Sequence, residues 1–358
     1  MDIVYGIPII GVFFQFIGYV IEVTPGIAPI VLGLAAPIAL GALCGVMNER
    51  SGIVNIGIEG MMLSGAFAGF LAAGLWHQAF PAEAWGVFGI TPALLVGVLV
   101  AIGVAMLLSL LHAWLSITVA ADQIISGVII NVAALGLTGY LNRLLISPNP
   151  RLGAGTFDTF RLPQEVVDIP VIGWLLEMFL EQGPIAMSVI VFVLVLQVLL
   201  FRSRWGLRTR AVGEHPRAAE TVGIDVVRLR YRNVIIAGVF AGLAGAYLTL
   251  EGTSSFQNNM TAGRGFIALA AVIFGRWTPI GAFAGALLFL YSGAFGQAVR
   301  IRPPGDAYPE LATIMGAVPS QVYGALPYIV TIIILAGVVG RSIGPAAAGR
   351  PYEKEAHS

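Results

Sequence analysis

The sequence predicts an all-α polytopic membrane protein with about ten transmembrane helices, some of them broken or re-entrant, and with both termini in the cytoplasm. Hydrophobic residues make up 58% of the 358 residues and charged residues only 11%, whereas about a quarter of a soluble domain is charged. The mean hydropathy is +0.89. The 45 glycines and 20 prolines predict helices that pack closely and are interrupted, which is typical of transporters.

Ten apolar runs are long enough, or nearly so, to cross a hydrocarbon core of about 30 Å. They lie at residues 3–21, 26–47, 57–76, 92–114, 122–141, 184–201, 233–251, 263–276, 278–298 and 327–341. Two of them, 263–276 and 327–341, are short, and we expect them to be tilted, broken or re-entrant. The spans together predict a single transmembrane domain at residues 1–346, followed by a cytoplasmic tail at 347–358.

The long polar segment at residues 202–232 sets the orientation of the chain. It contains eight arginines: Arg202, Arg204, Arg208, Arg210, Arg217, Arg228, Arg230 and Arg232. Because positive residues collect on the cytoplasmic side, we place this segment in the cytoplasm. Alternating sides from there puts the long connections 142–183 and 299–326 outside. The prediction is a multi-pass protein of a bacterial-type cell (inner) membrane, in contact with the lipid bilayer.

Several classes of protein are disfavoured. The net charge is zero, so no attraction to nucleic acid is expected. A P-loop ATPase needs a lysine that reaches the phosphates, and the only lysine is Lys354 in the tail. The four histidines have no metal-binding spacing, Cys44 is the only cysteine, and no nucleophile elbow occurs. We expect no enzyme activity, metal or cofactor, and we expect that the chain does not hydrolyse ATP by itself.

A polar break with several glycines interrupts the apolar pattern at residues 48–60. Asn55 and Glu59 are four residues apart, so they share a face if the segment is helical. One interpretation is a broken helix whose exposed end lines a pathway for solute. The other is a capped turn in which Glu59 pairs with an arginine. A charge in the bilayer core is costly, so Asn55 and Glu59 are candidate residues of a substrate pathway.

Two further polar groups complete the candidate pathway. Gln123 and Asn131 are eight residues apart in the fifth run, so they lie near one helical face, where amides would bind a polar solute or join helices to one another. Near the outer end of the seventh run, Phe256, Asn258 and Arg264 place an aromatic ring beside polar groups. That combination suits a sugar or a nucleoside, and it also suits an ordinary outer loop.

A short pattern of small residues occurs three times. The sequence GAFAG at 65–69 recurs at 281–285 and, with one change, at 238–242. Each copy has glycines four residues apart, which lets helix backbones approach closely. We expect these copies to mark close helix packing.

Three longer motifs occur in order along the chain: ERSGIVNIGIEG at 49–60, GEHPRAAETVGI at 213–224 and MTAGRGFIALAAVIFGRW at 260–277. Together they resemble the permease subunits of ATP-binding-cassette (ABC) importers. The resemblance is to the superfamily that carries branched-chain amino acids and ribose, and within it to the nucleoside and simple-sugar branch. It extends from about residue 26 to residue 341.

The resemblance implies a non-catalytic membrane subunit that forms the translocation path for a nucleoside or a simple sugar. Its partners would be a cytoplasmic ABC ATPase subunit, a second and non-identical permease subunit, and an extracytoplasmic solute-binding protein. A permease for branched-chain amino acids and an ion-coupled secondary transporter are the alternatives. The latter would need acidic groups at mid-membrane, whereas Glu59, Asp122 and Glu251 fall near predicted span ends.

The resemblance also implies a short cytoplasmic coupling helix that fits into a groove on the ATPase, at residues 213–224. Ala218, Ala219 and Gly223 match the Ala-Ala-x-x-x-Gly pattern of the wider superfamily, and Arg217 stands where that pattern has glutamate. Small residues flanked by arginines can approach another protein closely. A basic loop without a docking partner is the alternative. The predicted coupling residues are Gly213, Glu214, Arg217, Ala218, Ala219, Gly223 and Ile224.

Overall fold

The structure is a computed structural model that describes residues 8–169, 172–333 and 343–352. Over these residues it is helical, with one isolated β-bridge between Trp85 and Ile90 and no strand, which confirms the all-α fold class. Seven helices in the described part are long and apolar enough to cross a membrane. They are α1 (Pro8–Arg50), α2 (Ile58–Ala79), α3 (Pro92–Ala113), α4 (Gln123–Leu141), α7 (Pro184–Arg202), α10 (Val226–Tyr247) and α12 (Pro279–Ile301).

Shorter helices lie between and after these spans. They are α5 (Gln164–Val167), α6 (Ile172–Leu180), α8 (Arg204–Glu214), α9 (Pro216–Thr221), α11 (Arg264–Phe274), α13 (Pro309–Ala317), α14 (Ser320–Gly324) and α15 (Leu326–Ile333). Three long helices continue in π-helical turns: α3 at Trp114–Thr118, α4 at Asn142–Ile146 and α10 at Leu248–Thr253. The connections predicted outside therefore contain short helices.

The ten predicted spans correspond to the seven long helices and to two short ones. α11 occupies the 263–276 run with 11 residues, about half of what a full crossing needs, in agreement with the expectation of a short or re-entrant segment. α15 occupies the start of the 327–341 run, and the rest of that run, from residue 334, lies outside the described residues.

The first two predicted spans, 3–21 and 26–47, belong to one helix, so the break predicted between them is absent. α1 runs without interruption for 43 residues, about 65 Å at the usual rise per residue. Pro25 lies within this helix without ending it, and next to it Thr24 Oγ1 donates to the carbonyl of Val20 over 2.6 Å. The prediction of a cytoplasmic N-terminus assumed that these two runs cross the membrane twice. The single helix α1 no longer supports that count.

The chain is divided into two compact units. The larger comprises Ala35–Phe160, Gln182–Ala286 and Arg341–Ser358, and the smaller comprises Met1–Leu34, Arg161–Glu181 and Leu287–Gly340. α1 and α12 each contribute to both. The single permease domain at residues 1–346 stays a prediction.

Glycines bring α2, α3 and α10 together in the core of the larger unit. A Cβ at Gly242 of α10 would lie 2.5 Å from Ile102 Cα on α3, and a Cβ at Gly65 of α2 would lie 3.4 Å from Gly242 Cα. Two copies of the small-residue pattern therefore meet. In the third copy, a Cβ at Gly285 would lie 3.4 Å from the carbonyl of Ala271 on α11. All three copies mark close helix packing, as the pattern predicts.

The smaller unit has an apolar core of its own. Tyr19 of α1 packs there with Phe295 of α12 and Leu311 of α13. The hydroxyl of Tyr19 also donates to the carbonyl of Arg302 over 2.6 Å, and the Arg302 guanidinium pairs with Glu22 over 2.9 Å. That ion pair is exposed, so it adds little to stability.

Candidate functional site

The predicted coupling segment consists of two helices rather than one. α8 ends at Glu214 and α9 spans Pro216–Thr221, with His215 between them. Pro216 explains the division, because a proline has no N–H for an intrahelical hydrogen bond but is well accommodated at the first position of a new helix.

α9 ends in a turn that requires glycine. Gly223 has a φ of +82°. The N–H of Ile224 donates to the carbonyl of Ala219 over 3.1 Å, and the N–H of Gly223 donates to the carbonyl of Glu220 over 2.8 Å. This is the Schellman arrangement, in which the left-handed residue is usually glycine. No atom lies within 4 Å of the position of a Cβ at Gly223, so the backbone conformation is the constraint rather than space.

The seven predicted coupling residues are divided between an inner and an outer face. Ala219 is only 4% exposed and packs with Val212 and Val226, and a Cβ at Gly213 would lie 2.3 Å from the carbonyl oxygen of Arg50. The exposed residues are Glu214, Arg217, Ala218 and Gly223, and Ile224 is half-buried. The exposed group is the part of the motif that is open to a partner protein.

The arginines of the 202–232 segment are not equivalent. Arg230 on α10 is only 1% exposed, and its Nε donates to the carbonyl of Ser51 over 3.1 Å. That carbonyl follows the C-terminal end of α1, where the helix dipole favours a cation. Arg228 and Arg232 are exposed. Sequence reasoning named Arg230 but missed its burial. The spacing of two residues from Arg228 and from Arg232 was the available signal, since it places Arg230 on the opposite face of α10.

The polar break at 48–60 is a buried connection between two helices. α1 ends at Arg50 and α2 begins at Ile58, so Asn55 is not helical and the helical face that it was expected to share with Glu59 does not form. Asn55 is 0% exposed and Glu59 7% exposed, so the connection does not present an exposed helix end. The Oδ1 of Asn55 accepts the N–H of Gly57 over 3.0 Å.

Amide side chains of α4 satisfy the backbone of this connection. Gln123 Oε1 accepts the N–H of Val54 over 2.7 Å. Asn131 Oδ1 accepts the N–H of Gly60 over 2.7 Å, and its Nδ2 donates to the carbonyl of Ile56 over 3.0 Å. Both amides face the connection, as their spacing of eight predicts, and they join α4 to it. Gln123 Nε2 is buried without a hydrogen-bond partner among the described residues.

His112 on α3 is a third support that sequence reasoning missed. It is fully buried, with Nε2 3.1 Å from the carbonyl oxygen of Val54 and Nδ1 3.0 Å from Ser126 Oγ. Sequence reasoning considered the histidines only as metal ligands. A lone imidazole inside an apolar run was the signal that could have predicted a buried, hydrogen-bonded His112. No group of three or more His, Cys, Asp or Glu in the described part of the chain is placed to hold a metal ion.

Glu59 binds the N-terminus of α11. Its carboxylate oxygens accept the N–H of Gly263 over 2.8 Å and the N–H of Gly265 over 2.6 Å, so backbone amides take the place of the expected arginine. The helix dipole favours a carboxylate at this end. At the other end, Arg50 Nε donates to the carbonyl of Trp277 over 2.7 Å. The two sides of the α1–α2 connection thus hold both ends of α11.

Glu251 likewise binds the N-terminus of a helix, in this case α7. Its carboxylate accepts the N–H of Ile185 over 2.7 Å and the N–H of Ala186 over 3.0 Å, at the start of α7. Two of the acidic residues in the spans therefore serve as caps for neighbouring helices.

The third predicted set adjoins the start of α11. Phe256 is buried, with its ring edge-to-face on Phe67 at a centroid distance of 5.2 Å. Asn258 Oδ1 accepts from Asn142 Nδ2, at the end of α4, over 2.9 Å. The guanidinium of Arg264 donates to a carbonyl of its own turn over 2.8 Å. Because Glu59 binds the amides on either side of Arg264, the first and third sets lie next to each other.

These features define a class: an all-helical, multi-pass membrane protein with helix ends capped inside the bundle and a basic, partly open pair of helices on one side. Comparison with known proteins identifies the family within this class. A family model described as "Branched-chain amino acid transport system / permease component" matches residues 27–335, and the chain belongs to this family. It is therefore a permease component and a multi-pass protein of the cell membrane.

Curated relatives match the chain over most of its length. The guanosine ABC transporter permease protein NupQ of Bacillus subtilis is 37% identical over 344 residues, covering 94% of this chain and 98% of the relative. The nucleoside ABC transporter permease protein NupC of Lactococcus lactis is 36% identical, covering 89% and 94%. The putative glucose ABC transporter permease protein TsgC13 of Haloferax volcanii is 32% identical, covering 90% and 95%.

Proposed function

We propose that the chain forms the translocation path of an ABC importer for a nucleoside. The observation that carries this proposal is the 37% identity to a guanosine permease over 94% of the chain, with a second nucleoside permease at 36%. A relative named for glucose is less similar, at 32%, so a simple sugar ranks second.

Energy would come from a separate cytoplasmic ATPase subunit. The chain has one lysine, in its tail, and so lacks the lysine that a P-loop needs. On the cytoplasmic side, Arg217 and Ala218 of α9 are exposed, and Gly223 is exposed at its end. We propose that this exposed side of the predicted coupling residues docks on the ATPase, while Gly213 and Ala219 hold α9 in place.

Two further partners belong to the proposal. A second, non-identical permease subunit would complete the path, and an extracytoplasmic solute-binding protein would deliver the solute to the connections at 142–183 and 299–326. No cofactor is proposed for the chain itself, because ATP would be used by the partner subunit.

The pathway role of the seven polar and aromatic candidates also remains a proposal. Asn131, Asn258 and Glu59 already bond to other parts of the chain, so they would shape the path more than they touch the solute. Gln123 is the strongest candidate for contact, because its Nε2 is a buried donor without a partner in the described residues, and such a donor gains by meeting an acceptor.

Reconstitution into proteoliposomes tests the proposal. The chain is reconstituted with its ATPase, its partner permease and its binding protein, and uptake of labelled guanosine is measured with and without ATP. We expect uptake that requires both the ATPase and ATP. Uptake by this chain alone, driven by an ion gradient, would show a secondary transporter. Tight binding of a branched-chain amino acid, but not of a nucleoside, by the binding protein would move the chain to the other branch of the family.

A further inference from the structure

Residues 343–352, near the C-terminus, pack against the predicted coupling segment and do not form a free tail. The N–H of Ala347 donates to the carbonyl of Gly213 over 2.9 Å, and the N–H of Ala346 donates to Glu214 Oε2 over 3.1 Å. Pro345 and Ala347 are buried. This segment, which we call the C-terminal strap, begins after the family match ends at residue 335.

A second anchor holds the far end of the strap. The Tyr352 hydroxyl donates to Glu220 Oε2 on α9, and burial raises the pKa of Tyr352 to about 12, so this hydroxyl stays protonated. The buried guanidinium of Arg230 lies 5.8 Å from the centre of the Tyr352 ring and donates to the carbonyl of Arg350 over 3.4 Å. The strap is therefore attached to both α9 and α10.

Together the strap and α9 enclose an open groove of about 600 Å³. One wall is His215, Pro216, Arg217 and Ala218, and the other is Ala346, Ala347, Arg350, Pro351 and Tyr352. Arg217 and Arg350 are both exposed. The carboxylate of Glu214 at the groove already accepts the N–H of Ala346. The lining has two guanidinium groups, those of Arg217 and Arg350, against the one carboxylate of Glu214, so positive charge is in excess.

α9 alone is too small to form a stable docking surface. Six residues of helix are about 9 Å long, whereas a stable interface buries about 800 Å² on each partner. The docking surface must extend to a neighbouring element, and the strap lies beside α9. Positive charge on both walls favours a negatively charged partner segment.

We propose that the C-terminal strap forms one wall of the docking groove for the ATPase subunit, with α9 as the other wall, and that the groove takes an acidic segment of that subunit. This inference rests on the proposed function, and it assigns a docking role to residues that neither the family match nor the coupling motif includes.

Site-specific photo-crosslinking in the assembled transporter tests the proposal. A photoreactive amino acid is placed at Ala218 on α9, at Arg350 on the strap, or at Trp85, which is exposed in a connection predicted outside. We expect crosslinks to the ATPase from positions 218 and 350 and none from position 85. A crosslink from 218 without one from 350 would overturn the role of the strap and leave the proposed function intact. No crosslink from either position would contradict the docking of the ATPase on this side altogether.

Charge reversal gives an independent measurement. Arg350 is anchored through its backbone carbonyl, which accepts from Arg230, so its side chain can be changed while the strap stays attached. Arg350→Glu is expected to lower the affinity of the ATPase about tenfold or more, since like charges at an interface repel, and Arg350→Gln is expected to lower it less. Arg151→Glu, at an exposed arginine in a connection predicted outside, is the matched control. Equal affinity in the Arg350→Glu and Arg151→Glu variants would overturn the proposal.

Discussion

The two polar regions of the chain use their side chains in opposite ways. Around the α1–α2 connection, Glu59 and Asn131 are bonded to the backbone of other segments. In the 202–232 segment most arginines are exposed, and Arg217 and Ala218 lie open on α9. The connection is buried, and buried backbone groups without water need partners within the protein, so the polar side chains around it are used by the fold. In the 202–232 segment, most of the charged side chains stay exposed.

This difference means that the two regions should respond differently to mutation. Substitutions around the connection should first lower stability, whereas substitutions on the open side of α9 should leave the protein folded and lower its coupling to ATP hydrolysis. The predictions below test that contrast, from the largest expected effect to the smallest.

Glu59→Ala should give the largest loss of stability. It removes the acceptor for two amides at the start of α11, and each unsatisfied amide costs about 1–3 kcal/mol. We expect a loss of about 2–6 kcal/mol, measured as thermal unfolding of the purified protein in detergent. Glu59→Gln keeps one acceptor oxygen and should lose less. A Glu59→Ala variant of normal stability but weakened solute binding would make Glu59 a solute ligand instead of a cap.

Adjacent alanines on α9 give a matched pair. Ala219→Glu would bury a carboxylate between Val212 and Val226 and should cost about 2–3 kcal/mol. Ala218→Glu places the same side chain on the open side and should leave stability within about 0.5 kcal/mol while abolishing ATP-driven uptake. Unfolding and uptake are measured on both variants. If the two variants lose stability equally, α9 does not have the inner and outer faces described above.

Gly223→Arg should lower stability by about 1–2 kcal/mol, because a side chain is disfavoured at a positive φ, and it should abolish ATP-driven uptake while the protein remains inserted. Gly223→Ala has the same backbone cost without the long side chain, and it should keep most of the uptake. Normal uptake by the Gly223→Arg variant would reduce the segment to a signal for orientation.

Asn258→Ala should have the smallest effect of the four. It removes one hydrogen bond to Asn142, worth about 1 kcal/mol, and the variant should keep at least half of its uptake rate. The matched comparison is Gln123→Ala, which we expect to raise the KM for the solute if Gln123 Nε2 contacts it. If Asn258→Ala raises the KM more than Gln123→Ala does, Asn258 rather than Gln123 is the better candidate for contact with the solute.

Much of the fold follows from the sequence, because it depends on local patterns. Apolar length predicts the long helices, and glycines four residues apart, as at Gly65 and Gly242, predict their close contacts. The presence of a polar segment with short helices at 202–232 was also predictable, since its arginines and small residues stand out from an apolar background. The π-helical ends and the continuity of α1 were not, because a proline such as Pro25 more often ends or kinks a helix than lies within one.

The site was less predictable because its contacts join distant parts of the sequence. Glu59 binds amides 204 and 206 residues away, and no local pattern specifies such a partner. The different burial of Ala218 and Ala219 likewise depends on how α9 packs against Val226 of α10. Spacing placed Gln123 and Asn131 on one face of α4, which the structure confirms, but the structure was needed to show what they bind.

The attachment of α11 at both ends has a consequence for its dynamics. With Glu59 at one end, Arg50 at the other, and the α1–α2 connection between those two residues, the short helix and the connection form a closed ring of covalent and hydrogen bonds. Such a ring opens as one cooperative unit. The amide protons of Gly263 and Gly265, both bonded to Glu59, should therefore exchange with solvent at similar rates.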